Sequence, residues 1–341
     1  MEEKKIRVLV TGGAGHIGRE LIKMLIQHSP SISVSVLELP TARNREFLDR
    51  YAGQLTTYYG NLTEIETLDE ATQGQDFVIH LASIIPPKAL NDPELTNKVN
   101  VEGTQNLISQ IEKNSPDAFF MLASSVAVYG DRLLNPYIRV SDPLAPDQWD
   151  YYAMSKIKME KALQESALKW VIYRLAAVFG TNQHVSPELM FRMPLEQVME
   201  MCTPNDVARA LLRTIYHTTK VEGRIFNLGG GANCTTTFQQ FLKRNFEIYG
   251  LGKLDFPLHA FANYNFHCGY YEDGDELDQI LNFRRDTLED YYKRLKASTP
   301  ALQRWATKGL AKLVKSYLLS KSEPYEAWHS DDAEKRKRFF R

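Results

Sequence analysis

The chain has little cysteine: only Cys202, Cys234 and Cys268 in 341 residues. An odd, widely spaced set offers neither a disulfide framework nor a zinc site. His259 and His267 also stand without partners at ligand spacing, so no metal centre is expected. Charge of one sign is lacking as well. Forty-one Lys and Arg face 42 Asp and Glu, a net charge of −1, which gives no whole-chain electrostatic case for a nucleic-acid partner. No apolar run approaches the length needed to cross a bilayer. The opening MEEKKIRVLV is charged and runs straight into a strand pattern, unlike a signal peptide, and a cytoplasmic location is the default expectation. Internal repeats and low-complexity segments are absent. What remains, 43% apolar and 24% charged residues, is ordinary globular composition. The length suits one large domain with additions, or two domains.

The most informative stretch is IRVLVTGGAGHIGRELIKMLI, 6–26. Ile6 to Val10 read as a buried strand. Gly12, Gly15 and Gly18 follow, and Ile17, Leu21, Met24 and Leu25 then recur at helical spacing. Strand, glycine turn and helix in that order are the context of a dinucleotide-binding loop. Gly12 would allow the tight turn, Gly15 the approach of backbone N–H groups to a pyrophosphate, and Gly18 close helix–strand packing. Twenty residues beyond Gly18, ISVSVLE ends in Glu38. An acid there accepts ribose hydroxyls and repels a 2′-phosphate, favouring NAD over NADP. Arg43 and Arg45 pull the other way, unless they are solvated loop charges, the preferred reading.

Strand and helix patterns alternate to about residue 180, which predicts a doubly wound parallel sheet. Strands are expected in 54–63, 76–83, 118–130 and 170–180, and helices after Pro93, over 151–168 and over 205–218, the last capped by Asn205 or Asp206. Residues 182–205, with Pro187, Pro194 and Pro204, read as irregular. The expected division is a Rossmann domain over 1–180 completed by 203–232, a substrate lobe from 181–202 and 233–300, and a tail from 301. In the tail ten Lys or Arg exceed five Asp or Glu by five, and 302–320 reads as a basic amphipathic helix. Such a helix could dock on an acidic membrane surface. Packing on its own domain, followed by a frayed charged end, is the preferred alternative.

A second constellation is Ser124-Ser125 at a strand end, Tyr152, and Lys156 one helical turn later. An ammonium beside a phenol favours the phenolate and lowers its pKa from about 10. That suits proton exchange with an alcohol, while a Ser hydroxyl holds the oxygen. Hydride transfer at a carbinol needs those two services.

With these residues the chain resembles the extended short-chain dehydrogenase/reductase superfamily, in its NAD-dependent epimerase/dehydratase branch. The matching motifs are TGGAGHIG (11–18), Glu38, GNLT (60–63), HLAS (80–83), NVEGT (100–104), SSVAVYG (124–130), Tyr152 to Lys156, YRLAAVFG (173–180), NDVARA (205–210) and FNLGG (226–230). The resemblance implies a Rossmann-like fold, an NAD cofactor and a homodimer built on the Tyr152 helix. It implies that Ser125, Tyr152 and Lys156 are catalytic. Gly12, Gly15 and Gly18, with His16 and Ile17, would hold the pyrophosphate and Glu38 the ribose. Asn61 and Leu62 would lie at the adenine, and Leu81, Ala82, Ser83 and Ala176 along the rest of the cofactor. Asn100 would form the floor, and Lys156 would also reach the nicotinamide ribose. Ala177, His184 and Arg192 join Ser125 as candidate substrate contacts.

Departures bear on the substrate. Val126 and Ala127 stand where dehydratases carry an acidic pair. Met199 stands where nucleotide-sugar enzymes carry an Arg, and FHCGYYEDGD, 266–275, lacks their second one. A diphosphate calls for bidentate Arg, so a nucleotide sugar is disfavoured, unless Arg192, Arg209 or Arg224 serves. Tyr264, Phe266, Tyr270 and Tyr271 either line an apolar pocket or pack the lobe. The expected activity is NAD-dependent oxidation or reduction of a small-molecule alcohol or carbonyl. The alternatives are an epimerase that retains its NAD and a cofactor-binding regulatory protein.

Overall fold

The computed structural model describes residues 5–28, 30–180, 186–330 and 332–341. Seven parallel strands form the central sheet: β1 (Ile6–Thr11), β2 (Ile32–Glu38), β3 (Thr56–Tyr59), β4 (Phe77–His80), β5 (Phe119–Ser125), β7 (Lys169–Leu175) and β10 (Arg224–Leu228), in the order β10-β7-β5-β4-β1-β2-β3. The order reverses between β1 and β4, which opens a crevice at their carboxyl ends, the usual ligand position in such sheets. Two smaller sheets lie beyond. β8 (Ala177–Val178), β9 (Val198–Cys202) and β11 (Thr235–Thr237) form one, and β6 (Tyr137–Ile138) pairs with β12 (Tyr270–Tyr271).

The α-helices of five or more residues are α1 (His16–Gln27), α2 (Ala42–Leu48), α3 (Gly103–Asn114), α4 (Tyr151–Gln164), α5 (Pro187–Arg192), α6 (Pro204–Thr214), α7 (Phe238–Tyr249), α8 (Gly274–Leu281), α9 (Leu288–Ser298), α10 (Ala301–Leu319), α11 (Glu323–His329) and α12 (Ala333–Lys337). Leu21, Ile22 and Leu25 on α1 are fully buried with Val8, Val10 and Val36 of the sheet. Each such side chain contributes about 1.5–3 kcal/mol by leaving water. That burial fixes α1, and with it the position of the glycine turn.

Several expectations need correction. Residues 182–205 are not all irregular, since α5 and β9 occupy much of that stretch. In β9 (VMEMC), Met and the buried Glu200 replace the β-branched run that marks a strand. Pairing with β8 and β11 makes the strand. The expected strand over 170–180 leaves the main sheet at Ala176, and the expected helix over 151–168 stops at Gln164. Helix α6 is capped by the Thr203 hydroxyl, which accepts from the Asp206 amide at 3.2 Å, not by Asn205 or Asp206. The tail is not frayed: α11 and α12 fold back onto the body.

Candidate active site

Gly12 follows β1 with φ +71°, a backbone conformation that favours glycine. A Cβ at Gly18 would lie 2.5 Å from the Gly12 carbonyl oxygen and 2.6 Å from Gly13 Cα, so only glycine lets α1 pack this closely. Gly15 starts the helix and supplies no side-chain cap. The first N–H groups of α1 therefore stand uncapped at the crevice, a ready anion site.

That crevice is a cleft of about 890 Å³ lined by Gly12, Gly15, His16, Glu38, Asn61 and Leu62, and by Leu81, Ala82 and Ser83 after β4. Glu38 Oε2 accepts from the Ala14 amide at 2.9 Å, and Oε1 from the Leu39 amide and Asn44 Nδ2, both at 3.1 Å. These bonds aim the carboxylate, although burial raises its pKa. Arg43 also lines the cleft, whereas Arg45 stacks over the Tyr59 ring at 4.0 Å.

A second cavity of about 790 Å³ adjoins the first, with His16, Ile85 and Phe179 lining both. Ser125, Tyr152, Ala176, Ala177 and Arg192 line it, as does Ile17, which lies outside the glycine cleft. Successive strand residues point to opposite faces, and this separates the two serines. Ser124 also borders the cavity, but it is buried and its hydroxyl proton is given to Glu160 Oε1. Ser125 Oγ accepts from the Ala127 amide at 3.2 Å and lies near enough to Tyr152 to act on its phenol. Asp150 caps α4 by accepting from the Ala153 amide at 2.9 Å, which sets Tyr152 in the first turn.

Lys156 lies beneath this pair. It is buried, its Nζ donates to the Ala123 carbonyl at 2.9 Å, and it stands 5.6 Å from the centre of the Tyr152 ring. Burial holds its pKa down to about 7, against the pull of Glu160. Burial also pushes Tyr152 up to about 12, with only Ser125 lowering it. Burial thus raises the phenol, and Lys156, 5.6 Å from the ring centre, is not among the groups that lower it.

Asn100 is buried and tied into the framework. Its Oδ1 accepts from the Ile84 amide at 2.7 Å, and its Nδ2 donates to the Ile84 carbonyl and to Ser155 Oγ, both at 3.0 Å. Its stretch, Asn97–Glu102, is π-helical, a local distortion that often accompanies functional sites. Arg192 reaches the cavity, but its Nη2 is held by both Glu323 oxygens at 2.6 and 2.7 Å. Arg209 bonds Asp206 and the Phe283 carbonyl, and Arg224 pairs with Glu276 at the surface. Neither lines either of these two cavities, so neither stands where it could clamp a diphosphate in them. His184 lies outside the described residues.

The rest of the second cavity is largely apolar: Ile85, Leu90, Val126, Leu189, Met193, Met199, Phe238 and Phe266 line it. Phe266 is thus a wall residue, while Tyr271 is buried and Tyr264 donates to the Lys337 carbonyl. His267 stacks on Phe266, with Nδ1 3.3 Å from Asp150 Oδ2. The wall residues that sequence alone did not show include Glu323, Arg338 and Phe339 of the tail. The Asn263 amide donates to the Phe339 carbonyl at 2.9 Å, Trp328 stacks on His259 at 3.5 Å, and the Arg338 guanidinium lies 4.1 Å over Trp149. Only the aromatic and basic character of RKRFFR, 336–341, hinted at these contacts. The three cysteines are free and buried, and no metal-ligand cluster occurs among the described residues.

The model of the NAD dependent epimerase/dehydratase family matches residues 8–229. Among curated proteins, 3 beta-hydroxysteroid dehydrogenase type 7 of Mus musculus is 28% identical, over 46% of this chain and 44% of that protein. D-erythronate dehydrogenase of Haemophilus influenzae is 31% identical over 38% and 40%. Sterol-4-alpha-carboxylate 3-dehydrogenase, decarboxylating, of Candida albicans is 27% identical over 53% and 53%. The chain thus spans about half the length of these relatives, or less. Among solved structures, dTDP-glucose 4,6-dehydratase of Streptomyces venezuelae with NAD and TYD bound superposes with a TM-score of 0.70 at 23% identity, covering 89% of this chain and 98% of that one. UDP-glucose 4-epimerase of Thermus thermophilus in complex with NAD gives 0.68 at 22%, covering 86% and 100%. At these identities the likeness is one of fold.

Proposed function

Because the chain belongs to the NAD-dependent epimerase/dehydratase family, we propose that it is an NAD-dependent oxidoreductase acting on a bulky apolar secondary alcohol or its ketone. The observation that carries the reading is the Ser125–Tyr152 pair, with Lys156 beneath it, in a cavity continuous with the glycine cleft. The cleft fits a dinucleotide. The uncapped start of α1 suits a pyrophosphate, and Glu38 faces the cleft as a ready acceptor for a ribose. When bound, NAD supplies the hydride acceptor and, in its oxidised form, a positive charge near the phenol.

The chain's own residues would do the rest. Tyr152 takes the carbinol proton during oxidation and returns one to the carbonyl oxygen during reduction. With burial holding its pKa at about 12, the resting phenol is neutral, which is the proton-donating form. Ser125 accepts from the Ala127 amide, so its own hydroxyl proton is left to turn from Tyr152 to the substrate oxygen when a substrate is present. Lys156, charged below pH about 7, then places a cation 5.6 Å from the Tyr152 ring centre, which adds to the positive charge of bound NAD in offsetting the burial of the phenol.

The substrate class follows from the walls. Met199 replaces a cation, and Arg192 is already neutralised by Glu323. An apolar body gains by leaving water there, whereas a diphosphate would find, among the described residues, a single unpaired guanidinium, that of Arg338, which lies over Trp149. The relatives' names include sterol and steroid dehydrogenases, which supports the same class. To test it, purified protein is denatured and released nucleotide assayed, and native protein is then supplied with NAD and a panel of hydroxysteroids and short sugar alcohols. NADH formation with the apolar alcohols is expected. Retained NAD without net turnover would point to an epimerase, and absence of nucleotide binding would sink the reading.

A further inference from the structure

We propose that the outward face of α10 docks on an anionic lipid surface. This goes beyond the oxidoreductase reading and does not depend on it. The helix is amphipathic twice over. Its inner side is occupied: Ala311, Val314 and Leu318 pack against the core around Phe246 and Tyr292. The opposite side carries Leu302, Trp305, Leu310, Leu313 and Tyr317, which are 53–76% exposed. At 3.6 residues per turn these five form one stripe running the length of the helix. Folding of the chain does not use it. Scattered exposed apolar residues need no explanation, but a continuous stripe does.

The charge around the stripe identifies what covers it. Between Ala301 and Leu319 the helix has four cations and no Asp or Glu. Lys315 pairs with Asp255. Lys308 and Lys312 are exposed at the stripe's edge and have no ion-pair partner among the described residues. The occupant must therefore be apolar where it meets Trp305 and Leu313 and negative where it meets the lysines. A second copy of α10 would bring lysines to lysines. An anionic bilayer supplies acyl chains and headgroups in that arrangement. Trp and Tyr suit its interface, with an apolar ring and a polar tip. No described helix is long and apolar enough to cross a membrane, so α10 would lie in the surface plane with about 28 Å of contact, given its 19 residues. The chain that leaves α10 goes on to contribute Glu323, Arg338 and Phe339 to the wall of the apolar cavity.

The test is sedimentation of the full chain with vesicles of phosphatidylcholine alone or mixed with phosphatidylserine, at low and high salt. The wild type is expected to pellet with the mixed vesicles, and salt should release it. Trp305→Glu combined with Leu313→Glu should abolish binding. Lys308→Gln and Lys312→Gln should each weaken it about five-fold on mixed vesicles, and neither should matter on neutral ones. Unchanged melting temperature and NADH titration would show that these surface variants are folded. Wild type that stays in the supernatant with both vesicles overturns the proposal, as does tight binding that ignores the two lysines. A fall in oligomer mass with Trp305→Glu and Leu313→Glu, in a protein that ignores vesicles, would assign the stripe to a second copy instead.

Discussion

Replacing Glu160 with alanine should cost far more than any ordinary surface change, and the structure shows why. Glu160 sits on α4 two turns beyond Tyr152, with its side chain 4% exposed and that of Arg174 5% exposed. Its oxygens accept from Arg174 Nε at 3.1 Å and Nη2 at 2.8 Å, and from the Ser124 hydroxyl. The pair therefore pins α4 to β5 and β7, the elements that present Tyr152 and Ser125. Glu160→Ala leaves the guanidinium buried with only the Tyr129 hydroxyl at 2.9 Å and the Val140 carbonyl at 3.2 Å. An uncompensated buried charge of that kind costs about 3–5 kcal/mol, a large share of the roughly 5–15 kcal/mol that holds a typical domain together. Urea unfolding followed by circular dichroism measures the loss. The double variant Glu160→Leu, Arg174→Met strands no charge and should recover most of it. A single-variant loss below about 1 kcal/mol, the range of a surface ion pair, would refute the account, as would a double variant weaker than the single.

His80 is fully buried between Thr11 Oγ1 at 2.7 Å and Thr104 Oγ1 at 2.9 Å, and burial, helped by Lys156, holds its pKa down to about 3. Its folded pKa lies below the unfolded value of 6.5. Its contribution is therefore complete above pH 6.5 and is lost as pH falls toward 3, at up to about 1.4 kcal/mol per pH unit. Urea midpoints at pH 7 and pH 4 should differ more in the wild type than in His80→Gln, and equal differences would exclude His80 as the source. Gly18→Ala forces a Cβ against backbone atoms that cannot yield. It should cost about 1–3 kcal/mol of stability and weaken NADH binding, read by thermal unfolding and fluorescence titration. Phe339→Ala removes a buried piece of the cavity wall. It should raise KM for an apolar alcohol while leaving the NADH dissociation constant unchanged, and a shift in cofactor affinity alone would contradict that placement.

The cofactor side of this site was legible in the sequence because its signals are local. Strand, glycine turn, helix and Glu38 all fall within 33 residues, 6–38, where the hydrophobic period reports each element directly. Ser125 and Tyr152 were legible as an ordered pair, but the balance of their energetics was not. The pKa of Tyr152 depends on how deeply the fold buries it, and spacing does not carry that. The substrate side was hidden for a different reason. Arg192 meets Glu323 across 131 positions, and the Phe339 wall is built by contacts with Asn263 and Ala327. Such pairings leave no local pattern. Strand β9 was missed because its side chains, two Met and a buried Glu, favour it only through their partners. The Thr203 cap was a different kind of miss. Thr-Pro-Asn-Asp does place a hydroxyl before Pro at the first helical position, and that signal was available.

The most direct test of the central claim is the rate of NADH formation by Tyr152→Phe on an apolar secondary alcohol turned over by the wild type, with NADH binding measured on the same sample. The substitution removes only the hydroxyl. The account predicts a rate lower by roughly a hundred- to ten-thousand-fold, the usual contribution of a positioned proton-transfer group, with cofactor affinity unchanged. Full activity in Tyr152→Phe would show that the proton leaves by another route.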